Sequence, residues 1–347
     1  PCRNLKEWRK DKWVNLAVDA RKGRTNKNFA GRMRALSAKD GSVEWEVNEA
    51  AYHTPQILLG DLIIDRWGHS YDLQSGKRAT RVSPITGQPE SWSFRKSGCN
   101  HLVACENLVT WRTAYYDLAS QSGVKTLRGM DAGCSPTLLP AGGILNISNF
   151  GTHHKRNRMT AMALVHRPQN NLWTAYATSK EKGAPSKEPV WLQHVGYDFG
   201  APGDRFASDG TLWLQVSARN RGNISWQPKE VSWFGKGDIK DASTISASGI
   251  VAAREITAPL TKDKTPNNAE SVYTVRLTFA ATANKGLLSI MLEGKTVAED
   301  LKLDSAIAKD GAIVREFTGL NINGPLNIGL TSGEGTTALS GVELIRE

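Results

Sequence analysis

The sequence predicts an all-β protein, on three observations. Apolar runs at 102–103, 108–116, 138–139 and 144–147 are short, and Gly, Asn, Ser or Pro bounds each of them, which is the pattern of strands and turns. The segment SVYTVRLTF sets Tyr273, Val275, Leu277 and Phe279 on one face and Thr274, Arg276 and Thr278 on the other, the two-residue period of a half-buried strand. The 347 residues include 32 Gly and 11 Trp with only 22% charged, a composition that suits turn-rich sheets better than helices or disorder.

From the start of the chain, residues 1–28 form a basic leader or the remnant of a preceding repeat. Eleven Lys or Arg crowd residues 1–34 against Glu7, Asp11 and Asp19, so most of the net charge of +10 sits there. Such a run reads first as a solvated stretch and second as a footprint for an anionic partner. The chain begins with Pro and shows no secretory leader pattern, so it is expected either to be processed or to continue upstream. No apolar run approaches the roughly 20 residues of a membrane helix, so no membrane span is expected.

Residues 29–177 carry a repeat. In FAGRMRALSAKDGSVEWEV, Ala35, Ser37, Gly41 and Trp45 mark a strand, a turn at Lys39-Asp40-Gly41 and a tryptophan. QILLGDLIIDRWGHSYDLQSGK and NLVTWRTAYYDLASQSG then follow one scheme: apolar strand, turn, apolar strand, Tyr-Asp-Leu, and a Ser-Gly turn. TAMALVHRPQNNLW is a weaker copy. Recurrence within periods of roughly 20–50 residues indicates propeller blades or a related array. Residues 178–193, rich in Lys, Glu, Ser, Pro and Gly, form a linker, and 194–347 form a second domain of alternating strands.

These residues carry a resemblance. The Gly-Cys, ENLVTWR, YYDLASQSG, Gly-Cys and PAGG series is similar to the last blades of a PQQ-like (quinoprotein-like) β-propeller. The series FGAPGDR, SDGTLWL, YTVRLTF, GKTV and LSGVE resembles the malectin-like domain that follows such propellers in large planctomycete-type proteins. The resemblance implies partial propeller blades plus a malectin-like antiparallel β-sandwich of jelly-roll type, with further blades upstream. It implies that Trp45 docks one blade on the next. It also makes Cys99 with Cys134 the disulfide candidate, with Cys105–Cys134 left open.

Site chemistry points to binding. No Cys-x-x-Cys pairs with a His motif, and the neighbours His153 and His154 would face opposite sides of a strand, so no metal site is expected. No nucleophile elbow or phosphate loop is present, and no cofactor is expected. The resemblance implies glycan contact through aromatic and polar residues of the second domain: Trp226 and Trp233, with Tyr197, Asp198 and Asp209 near the first strands. Trp213 reads as core, and Asp209-Gly210 also reads as a turn. The expected role is a non-catalytic carbohydrate-binding or scaffold protein in the periplasm, at the cell surface or outside the cell. A glycan partner is expected, the scaffold role implies a protein partner docked on the propeller, and nucleic acid is not expected. Two alternatives stand beside it: the C-terminal part of a PQQ-dependent or carbohydrate-active enzyme, which would use PQQ with calcium, and a protein-assembly platform.

Overall fold

A computed structural model of the chain describes residues 30–51, 56–98, 100–127, 132, 137–147, 161–163, 173–176, 188–217, 224–227, 230–234, 241–262, 270–281, 283, 286–303, 311–332 and 337–347. It is all-β: strands alternate with turns throughout, and the helix Asp241–Ser246 is the one helix among the described residues. The chain falls into two compact units. The first is drawn from Pro1–Arg81, Pro89–His166 and Thr174–Glu181, the second from Val82–Gln88, Arg167–Trp173 and Lys182–Glu347.

The first unit holds antiparallel meanders in chain order. Ala30–Leu36 pairs with Val43–Ala51; Ile57–Leu59, Leu62–Ile64 and Ser70–Asp72 form the next sheet. Val103–Ala104, Leu108–Thr110, Ala114–Asp117 and Val124–Thr126 form a four-stranded one. Leu138–Ala141, Ile144–Ile147 and Ala161–Ala163 follow. Successive side chains of a strand point to opposite faces, and the central strand Leu62–Ile64 uses both. Ile63 enters a core with Met33, Tyr71 and Leu73, while Ile64 enters another with Trp92, Phe94, Val109, Trp111 and Tyr116. The sheet is therefore covered by apolar packing on both sides.

The repeat scheme has a physical basis in this unit. In each Tyr-Asp-Leu, the tyrosine is core (Tyr71, Tyr116) and the aspartate closes the turn. Asp72 accepts from the Ser75 amide at 2.8 Å and from its hydroxyl, and Asp117 accepts from the Ala119 amide at 3.0 Å and the Ser120 hydroxyl at 2.8 Å. The Ser-Gly that follows supplies Gly76 at φ +67°, a conformation only glycine adopts without strain.

The second unit is a sandwich. Its larger sheet runs Arg205–Phe206, Leu212–Val216, His194–Phe199, Ala338–Arg346, Ser248–Val251 and Val231–Trp233, with Glu270–Ala280 on the other edge of Ala338–Arg346 and Ala312–Asn323 beyond it. His194–Phe199 runs parallel to Leu212–Val216 and antiparallel to the last strand, which it meets from His194↔Ile345 to Asp198↔Gly341. The second sheet is Ser225–Gln227, Glu255–Ala258, Leu326–Ser332, Leu287–Leu292 and Lys295–Lys302. One core takes side chains from both sheets, among them Val195, Tyr273, Leu277 and Leu344 from the first and Ile256, Ile290 and Ile328 from the second. Such a filled interface is what two half-apolar sheets produce.

The end of the expected linker belongs to this sandwich. Trp191 bridges Thr261, the Leu192 amide donates to the Leu260 carbonyl, and Leu192 is core. Val190-Trp191-Leu192 is a three-residue apolar run, too short to stand out from its polar flank, yet sufficient to pair at a sheet margin.

Candidate functional site

Trp233 ends the strand Val231–Trp233, which pairs with Ser248–Val251 through Val231↔Ile250 and Trp233↔Ser248. It is 62% exposed. The other tryptophans of this unit are withdrawn: Trp213 and Trp226 are buried, and Trp173 and Trp191 are half-buried. An indole left in water forgoes burial worth about 25 cal/mol per Å².

The remaining residues singled out from the sequence do not gather around it. Trp226, expected to contact glycan, is 2% exposed on the strand Ser225–Gln227 of the opposite sheet, edge-on to Phe199 with centroids 5.6 Å apart. Its Ser and Gln neighbours face out and the indole faces in, so it packs the core and cannot stack on a sugar. Tyr197 and Asp198 are also buried, in a strand covered on both faces. Tyr197 lies in the core, and burial pushes its phenol well above the ordinary range, with Tyr273 adding to the shift. Asp209 is an exposed turn residue whose carboxylate accepts from the Thr211 amide at 2.9 Å.

Asp198 lies on the outer side of the larger sheet, because Val195, Tyr197 and Phe199 of its strand point into the core. Both carboxyl oxygens are buried with no hydrogen-bond partner among the described residues. Burial drives the group well above the ordinary carboxylate range, and the Arg205 guanidinium offsets only part of that. Near it, the Trp213 ring lies on backbone: a Cβ on Gly196 would come within 2.3 Å of the indole, and one on Gly341 within 2.9 Å. Trp213 is thus buried, but against two glycines on the outer side of the sheet, outside the sandwich core.

A polar row crosses the same face. Glu343 accepts from His194 Nε2 at 2.7 Å, from the Thr211 hydroxyl at 3.2 Å and from Arg276 at 3.4 Å. Arg276 also donates to Glu316 at 2.6 Å, and that bond, more than the Glu343 charge, raises its guanidinium further. The registers Arg276↔Glu316 and Arg276↔Glu343 place these three side by side. Glu343 is fully engaged as an acceptor, so the row is built for cohesion between strands.

In the first unit, the Trp45 indole N–H donates to the Leu73 carbonyl at 3.2 Å, and its ring lies where a Gly76 Cβ would come within 2.4 Å. One sheet later the Trp92 N–H donates to a side chain, Gln121 Oε1, at 2.9 Å beside the Asp117–Gly123 turn. Around it, Arg81 pairs with Glu90 at 3.1 Å and donates to the Tyr116 hydroxyl, while Tyr176 donates to Glu90 at 2.7 Å. Burial pushes the Tyr116 phenol up to about 12. Cys99, Cys134, His153 and His154 lie outside the described residues, and with them both disulfide candidates; Cys105 is a free cysteine. Among the described residues no three His, Cys, Asp or Glu gather as metal ligands, and no helix is long and apolar enough to cross a membrane.

The fold and this surface define an all-β protein with a sandwich unit that, among the described residues, presents one exposed aromatic. No protein-family model and no curated protein matches the chain. Among solved structures, a β-glucuronidase from Bacteroides uniformis is 15% identical over 44% of this chain and 18% of its own, with a TM-score of 0.35. The ANX2 ectodomain from Arabidopsis thaliana is 14% identical over 44% of this chain and 42% of its own, TM-score 0.32. A family 35 carbohydrate binding module from Clostridium thermocellum is 13% identical over 35% of this chain and 87% of its own, TM-score 0.20. The chain thus spans under a fifth of the glucuronidase and under half of the ectodomain. At these TM-scores the likenesses carry no inference about binding or catalysis.

Proposed function

We propose that this chain is a non-catalytic carbohydrate-binding protein whose sandwich unit, malectin-like in type, contacts glycan through Trp233. The exposed indole at the end of an edge strand carries the proposal: a flat apolar face open to solvent stacks on the C–H face of a pyranose, while polar groups around it meet hydroxyls. The site of action would be the periplasm, the cell surface or the extracellular space.

In this account the first unit is a scaffold of propeller blades. Its support is the repeated docking of a tryptophan on the turn of the following sheet, Trp45 on Leu73 and Trp92 on Gln121, 28 and 29 residues along the chain. That regularity is what a blade array needs, since each blade buries its face only against the next.

The test is binding of the full chain to an array of neutral and acidic polysaccharides. A defined glycan is expected to bind, and Trp233→Ala to weaken it at least about five-fold, the lower end of what truncating an aromatic anchor costs. An unchanged profile in that variant would exclude Trp233 as the contact.

A further inference from the structure

The strand Val231–Trp233 ends the larger sheet of the second unit: it pairs with Ser248–Val251 on one side and, among the described residues, with no strand on the other. Its ladder shows which backbone groups are left over. The Phe234 amide donates to the Ala247 carbonyl at 2.7 Å and the Val251 amide to the Glu230 carbonyl at 3.4 Å, while Ser232 lies opposite Gly249. Hydrogen-bonded residues alternate along an antiparallel pair, so Glu230, Ser232 and Phe234 turn their backbone groups toward the neighbouring strand. Val231 and Trp233 turn theirs away, two N–H donors and two C=O acceptors along the margin of the sheet.

Such margins are ordinarily blunted by charge or by bulges, and the longer edges of this unit are. Lys295–Lys302 carries Lys295, Glu299, Asp300 and Lys302 and shifts register twice against its neighbour. Ala312–Asn323 carries Arg315 and Glu316, and its pairing shifts between Tyr273 and Val275. Val-Ser-Trp has no charge and no register shift, and it ends on the exposed indole.

An open backbone edge is completed by another extended backbone, and this edge is complementary to itself. Set antiparallel about Ser232, two copies bring Val231 of each opposite Trp233 of the other. Each such pair exchanges two hydrogen bonds, so all the outward groups of both strands are satisfied at once. The same register places a β-branched side chain beside an aromatic one across the strands, a favourable pair. We propose that this edge joins two copies of the chain into a symmetric dimer, each copy offering the same strand. The pairing uses backbone groups and does not rest on the glycan reading of Trp233. It sets the two Trp233 residues diagonal to one another, about 7–8 Å apart on one face.

The test is sedimentation of the full chain over a concentration series, with substitutions at Ser232, which would face its own copy across the two-fold axis. The parent is expected to show a concentration-dependent mass of two chains. Ser232→Glu and Ser232→Lys each place like charges directly opposite and should each weaken the dimer about five-fold, whereas an equal mixture of the two should associate more tightly than either alone. Ser232 is half-buried on an edge strand, so thermal melts at a dilution where the parent is monomeric should match. In a second measurement, Ser232→Cys under mild oxidation should give a dimer linked through position 232 of both chains, because directly opposed residues lie within disulfide reach; the parent treated alike controls for its own cysteines. A parent that stays monomeric, charge variants that associate as the parent does, a mixture no tighter than its components, or absence of the link at position 232 would each overturn the proposal.

Discussion

Two buried aspartates respond to pH in opposite senses. Burial alone would raise Asp65, but bonds from the His69 side chain and from the amides of His69 and Trp67 outweigh it and hold the group below its ordinary 3.8. Its contribution to stability is therefore present above pH 3.8 and is lost as pH falls below it, when the native carboxylate must be protonated. Asp198 is raised, so the unfolded chain releases a proton that the folded chain keeps; its neutral form is favourable near and below pH 3.8, and stability declines as pH rises above that value. Asp65→Asn should destabilise by about 1–3 kcal/mol at neutral pH, because an amide cannot accept as the carboxylate does. Asp198→Asn should raise the melting temperature at pH 8 relative to the parent and flatten its fall between pH 5 and 8. Thermal unfolding followed across pH checks both signs, and an Asp198→Asn variant less stable at pH 8 would contradict the assignment. These environments were not legible from sequence, where Asp65 and Asp198 each stand among apolar and aromatic neighbours. What separates them is where three donors happen to converge.

At the scale of the element, periodicity revealed strands better than it revealed exposure. The alternation Tyr273, Val275, Leu277, Phe279 does point into the core. The opposite face was expected to be open, yet Thr274 and Thr278 are buried as well, because neighbouring strands cover the centre of a wide sheet. Trp226 shows the same limit: Ser-Trp-Gln is an alternating strand only three residues long, and its polar flanks concealed it. The repeat was legible because its turns have fixed chemistry, aspartate as acceptor and glycine at positive φ. Gly76→Ala is expected to cost about 1–3 kcal/mol, from the positive φ and from a Cβ driven into the Trp45 ring; chemical denaturation measures it, and a neutral effect would mean that Trp45 is not seated there. In the polar row, Glu343→Gln should cost about 1–3 kcal/mol by leaving Arg276 and His194 without their shared carboxylate.

For the whole molecule, the sequence announced sheets, turns and a change of pattern near residue 190, while the packing decided which aromatic residues face water. Of five residues singled out for glycan contact, three are buried and one closes a turn, leaving Trp233. The withdrawn tryptophans share short apolar neighbourhoods with it, and only the three-dimensional pairing of Val231–Trp233 at a sheet edge distinguishes them. The most direct measurement is the binding profile of the full chain and of its Trp233→Ala variant on one polysaccharide array. The account predicts at least one glycan that binds the parent and binds the variant at least about five-fold more weakly. An array on which parent and variant bind alike, or on which neither binds, would contradict it.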